Sequence, residues 1–156
     1  MTFNELLDGL AAKYSIDNLA ADGGILSLQI DGMSVTIVEG GDDAFVVTGF
    51  VCEPPAENGE LFANMLLDAT IGLMDARSAA LARNPASRAY VLVERISANL
   101  DLDAFCAALE TFVDTLEDSR RIAVDFRPAM AAAREKLKES EWTAGAGSVV
   151  GGIMQV

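Results

Sequence analysis

Two close sets of carboxylates stand out, Asp42-Asp43 and Glu53 with Glu57, along with two thiols, Cys52 and Cys106. Paired carboxylates can share general acid and general base work, and acidic oxygens at the right spacing can hold calcium. Neither set is completed. No basic residue adjoins either to orient it, and the spacing is not that of an EF-hand loop. These acids read as solvated turns. The chain contains no histidine. That removes the commonest general base and metal ligand, and with them any serine–histidine or cysteine–histidine nucleophile. Both cysteines lie among apolar residues, in FVCEPP and DAFCAAL, where thiols are ordinarily buried and inert. The pairs Gly23-Gly24, Gly40-Gly41 and Gly151-Gly152 are not followed by Lys-Ser/Thr and sit in no strand–glycine–helix unit, so they are turns and not phosphate loops. The expectation is a protein that is not an enzyme, with no metal and no cofactor.

What must be positioned is therefore apolar surface. At 156 residues with 51% apolar content, the chain can build one core without disulfides, and two cysteines are too few for a disulfide framework. A net charge of −13 disfavours nucleic acid and anionic membrane and keeps exposed apolar patches soluble. No run is long enough for a membrane span, and the first residues lack a signal-peptide pattern. The expected location is the cytoplasm.

Thr2 and Glu5 form a capping box, and Phe3, Leu6, Leu7, Leu10, Ala11 and Tyr14 follow at helical spacing. Strands are expected at 25–30, 33–39 and 44–52, with Asp31-Gly32 as a hairpin turn. Pro54-Pro55 ends this meander. A helix follows from Gly59 to about Asp75, with Asn58 as its cap. A hairpin spans 78–96 across Asn84-Pro85-Ala86-Ser87, and Asn99 or Asp101 caps a third helix. In that helix Arg120-Arg121 reads as dipole complementation at its end, and Arg127-Pro128 as a break or a new start. Residues 143–152, rich in Gly, Ala and Ser, suggest a flexible tail, with Trp142 outside the clear core. The fold class is α+β: an antiparallel five-stranded sheet with helices in the order α-β-β-β-α-β-β-α. Residues 1–126 form the domain, and 127–156 a helical extension and tail.

Two features exceed what one domain can bury. The runs Ala44 to Cys52 and Ala89 to Val93 are apolar at both alternating parities, yet an antiparallel sheet ordinarily buries one face. The second helix is apolar nearly all round. A second subunit is the economical cover, which makes Leu61, Met65, Leu67, Ile71 and Met74 a candidate homodimer interface. Strand addition or helix-in-groove docking of an extended polypeptide would cover the remainder.

The stretches FNELLDGLAAKYSI, LSLQIDGMSVTIVE, ELFANMLLDATIGL and SAALARNPASRAYVLVERISANLDLDAFCAALETFVDTLEDSRR, in this element order, resemble the class I chaperones of type III secretion systems, the Tir-chaperone-like family. The resemblance spans about residues 2 to 124. It implies a cytoplasmic bacterial homodimer joined largely through its second helix. It also implies a client: the N-terminal region of a secreted effector, held extended and export-competent. By matched elements, Leu6, Leu10, Tyr14, Leu26, Leu28, Val35 and Ile37 would be effector-binding. An alternative within the same fold is a regulatory adaptor whose client is a folded cytoplasmic protein. A small-molecule sensor or enzyme would instead require a polar cluster in a pocket.

Overall fold

The computed structural model describes residues 1–17, 19–57, 59–76 and 78–146, with side chains described outside 74–76, 127–131, 133–134 and 137–146. The first helix, α1 (Phe3–Tyr14), starts where Thr2 and Glu5 cap each other. The Glu5 N–H donates to Thr2 Oγ1 at 3.2 Å, and the Thr2 N–H donates to the Glu5 carboxylate at 2.6 Å. Accepting that backbone bond holds the Glu5 carboxyl below its ordinary pKa. The helix stops at Ser15, which adopts the left-handed conformation.

Five strands follow in one antiparallel sheet: β1 (Ile25–Ile30), β2 (Met33–Gly40), β3 (Ala44–Cys52), β4 (Ala79–Arg83) and β5 (Tyr90–Ser97), in spatial order β1-β2-β3-β5-β4. Asp31 and Gly32 both have positive φ, as do Asp42 and Asp43, the geometry of primed turns that match strand twist. Between β3 and β4 runs α2 (Gly59–Ala76), and α3 (Leu102–Ala146) ends the described chain. Asp101 caps α3 by accepting the Ala104 N–H at 2.8 Å. The expected Asn58 cap lies outside the described residues.

Register assigns the strand side chains to two faces. Leu26, Val35, Ile37, Phe45, Val47, Leu92 and Ile96 share one face and are buried. The helices pack on this side. Phe45 meets Phe105 of α3 edge-on, ring centroids 5.5 Å apart. Phe62 of α2 meets Tyr90 at 5.3 Å and Phe126 of α3 at 6.5 Å, which fixes α2 at the β4–β5 end of the sheet. Two hydroxyls buried in α3 bond back one turn, Thr115 to the Thr111 carbonyl and Ser119 to the Thr115 carbonyl, each at 2.7 Å. Neither is therefore left unsatisfied in the core.

The third helix corrects three expectations. It does not break at Arg127-Pro128 but continues to Ala146. Arg120 and Arg121 consequently sit well inside it, beyond reach of the helix-end carbonyls that a terminal cation would complement. Arg121 instead bonds Asp118 one turn back at 2.7 Å. The helix also covers 143–146, where a flexible tail was expected; residues 147–156 and the Trp142 side chain lie outside what is described.

Candidate functional site

An apolar groove of about 450 Å³ opens where α1, the β1–β2 hairpin and α3 meet. Leu10, Tyr14 and Ile16 form one wall, Leu28 and Ile30 another, and Leu109 and Val113 a third. Gln29, Asp31 and Glu110 are its polar groups. The capping box sets where α1 begins, and the Asp31-Gly32 turn aims the hairpin. Lys13 donates to Asp103 at 2.7 Å, tying the end of α1 to the start of α3. That bond raises the Lys13 ammonium and lowers the Asp103 carboxyl from their ordinary pKa values. A hydrogen bond to the Cys106 thiol keeps the Tyr14 phenol protonated to higher pH than usual, with burial adding to the effect. Tyr14 lines the groove and is 49% exposed.

Of the seven residues expected to bind an effector, Leu10, Tyr14 and Leu28 line this groove. Leu6, Leu26, Val35 and Ile37 do not. They are fully buried between sheet and helices, as is most of Leu10, because the periodicity that marks an apolar face also marks the face turned to the core. Ile16, Ile30, Leu109 and Val113 complete the groove and were not among the expected site residues. Sequence patterning placed Ile30, Leu109 and Val113 on their elements, though not Ile16, which lies beyond the end of α1, and it did not show that three elements converge.

Two further apolar surfaces remain open. Along α2, Ile71 is 72% exposed, Leu67 59% and Leu61 42%, whereas Met65 is half-buried against the core; the Met74 side chain lies outside the described residues. On the sheet face turned away from the helices, register groups Val38, Val46, Phe50, Val91 and Val93. All are half-buried or exposed. The acids weighed for chemistry lie apart from the groove. Asp42 and Asp43 form an exposed turn, and among the described residues no three metal-ligating side chains gather. Nor, among them, is any helix long and apolar enough to cross a membrane. Cys52, half-buried on β3, and Cys106, buried on α3, stand on different elements.

Residues 5–120 match the model of the Tir chaperone protein (CesT) family. The chain belongs to that family. It is thus a member of a chaperone family, and α3 beyond residue 120 lies outside the family match. Solved structures share the CesT fold. A chain of the ExsC–ExsE complex aligns with TM-score 0.62 at 21% identity, over 76% of this chain and 90% of that one. A chain of the HopA1–SchA chaperone–effector complex aligns at 0.60 and 15% identity, over 76% and 93%. The Yersinia pestis type III secretion chaperone SycH, solved with a stable fragment of YscM2, aligns at 0.55 and 12% identity, over 75% and 98%. No curated protein matches the sequence.

Proposed function

We propose that this protein is a cytoplasmic, homodimeric chaperone for a type III secreted effector, whose N-terminal region it holds in extended form. The observation that carries the reading is the open groove between α1, the β1–β2 hairpin and α3, where Leu10, Tyr14, Ile16, Leu28, Ile30, Leu109 and Val113 offer a docking surface with few polar groups. Apolar side chains of an extended segment gain free energy by entering such a surface, and backbone pairing with a free sheet edge would add to it. Membership in the Tir chaperone family and likeness to a chaperone–effector complex support the same role. No catalytic step is assigned.

The exposed stripe of Leu61, Leu67 and Ile71 on α2 serves self-association, with Met65 and Met74 expected at its margin. The outer sheet face is shared between a sister subunit and the client. The domain proper ends near residue 126, beyond which α3 runs on as a C-terminal extension. The test is purification of the tagged protein from its native bacterium, with mass spectrometry and light scattering on the complex. Two copies holding one larger protein through its N-terminal segment are expected. A monomer without a protein partner would refute the reading.

A further inference from the structure

With a net charge of −13, two copies of this chain repel one another before any apolar contact forms. The stripe proposed to join them lies on a helix that also exposes Glu60 and Asp68. Beside that helix is a cleft of about 680 Å³, lined by two arginines together with Glu60 of α2. Pro55, Ala63 and Tyr90 also line it, and Arg83 and Arg88 come from the β4–β5 hairpin. Lys13, Arg95 and Arg121 each have a carboxylate within 3.7 Å. Among the described residues, Arg83 and Arg88 have none.

The hairpin turn brings these two residues together. Asn84 closes the turn, its N–H donating to the Ala89 carbonyl and its carbonyl accepting from the Arg88 N–H, both at 2.8 Å. Its side-chain oxygen accepts from Ala86 at 2.9 Å and Ser87 at 3.2 Å. Arg83 Nε donates to the Arg88 carbonyl at 3.2 Å. Arg88 has φ +64°, a left-handed conformation that disfavours a non-glycine residue. A glycine would fit that backbone better and would supply no charge.

The cleft is continuous with the exposed α2 stripe. Ala63, Arg83 and Tyr90 also wall a second, apolar pocket with Leu66, Leu67 and Leu81, and Leu67 belongs to the stripe. Basic and acidic groups thus border a single apolar surface. A two-fold interface requires a surface to be complementary to itself, and each contact then occurs twice. We propose that Arg83 and Arg88 receive carboxylates from the α2 helix of a second copy, with Asp68 beside the Leu67–Ile71 stripe as the acceptor. This rests on the dimer reading above and adds its electrostatic half: it explains how strongly like-charged copies can meet, and it selects this chain's own surface as the partner.

The test is a dilution series of the full chain in the analytical ultracentrifuge. Arg83→Glu with Arg88→Glu should raise the dimer dissociation constant by about tenfold or more. Arg88→Gly should weaken the dimer less while folding at least as well, since it relieves the left-handed strain. Asp68→Lys alone should also weaken it. An equimolar mixture of the Asp68→Lys chain with the doubly reversed arginine chain should form heterodimers tighter than either variant's own dimer. A folded arginine variant with an unchanged dissociation constant, or a mixture without recovery, overturns the proposal. Loss of acidic-peptide binding without change in the dimer would give the cleft to a client and also overturn it. If the parent chain is itself monomeric at micromolar concentration, the dimer reading fails first. If the parent dimerises and Ile71→Asp separates it while the arginine variants do not, only this inference falls.

Discussion

Leu116 of α3 occupies the space that a side chain at Gly49 of β3 would need. A Cβ built at Gly49 would overlap the Leu116 side chain, and Leu116 is fully buried. The missing side chain in the centre of the sheet lets α3 lie close, and α3 in turn carries the Leu109–Val113 wall of the groove.

Gly49→Ala is therefore expected to lower stability by about 1–3 kcal/mol through overpacking. Urea unfolding would show it as a lower midpoint with an unchanged slope. Combined with Leu116→Ala, the two substitutions should cost less than their sum, because each removes the conflict created by the other.

Ile71→Asp is expected to leave the fold intact, since the side chain is 72% exposed and surface substitutions ordinarily change stability by within about 0.5 kcal/mol. In the proposed dimer the same change buries an unpaired carboxylate. Light scattering should show half the parent mass. Met65→Asp is a poorer probe, because Met65 packs partly against the core and the variant would confound unfolding with dissociation.

Tyr14→Ser with Ile16→Ser should weaken client binding about tenfold or more by removing apolar surface from one wall of the groove, without moving the dimer mass. Calorimetry with the N-terminal segment of the copurified client measures it. Equal affinity would place the client elsewhere, the outer sheet face being the next surface to test.

The acid limb of stability follows from the lowered carboxyls. Asp103 and Glu5 have folded-state pKa values below their ordinary ones, so their contribution is present above the ordinary carboxylate range and is lost as pH falls through the depressed values. Lys13 is raised, so its share is present below the ordinary lysine value and is lost only as pH rises through the raised one. Asp103→Asn should flatten the loss of stability below about pH 4 and leave the profile between pH 5 and 8 unchanged. No histidine titrates in that interval. Thermal melts across pH 2–8 check it.

Local chemistry made most of the fold legible. Thr2 and Glu5 announced α1, Asp31-Gly32 announced the first hairpin, and the all-round apolarity of 59–75 anticipated that α2 would leave Leu67 and Ile71 uncovered. Where the outcome depends on distant neighbours, sequence was a weaker guide. Proline ordinarily ends a helix, yet α3 passes through Pro128. Leu26 and Leu28 share one strand face, yet Leu26 is sealed beneath the helices and Leu28 reaches the groove. Alternation identifies a face but not how far along it the covering helix extends. Arg88 gave no warning of its left-handed backbone, since positive φ there is imposed by the turn closed around Asn84.

The continuation of α3 has a consequence for how many bodies this protein can hold at once. The groove is built at the beginning of the helix, by Cys106, Leu109 and Val113, and among the described side chains Phe126 is the last that packs on the domain. From there to Ala146 the helix gains about 30 Å along its axis. Anything gripping the distal half would stand clear of a segment lying across the groove.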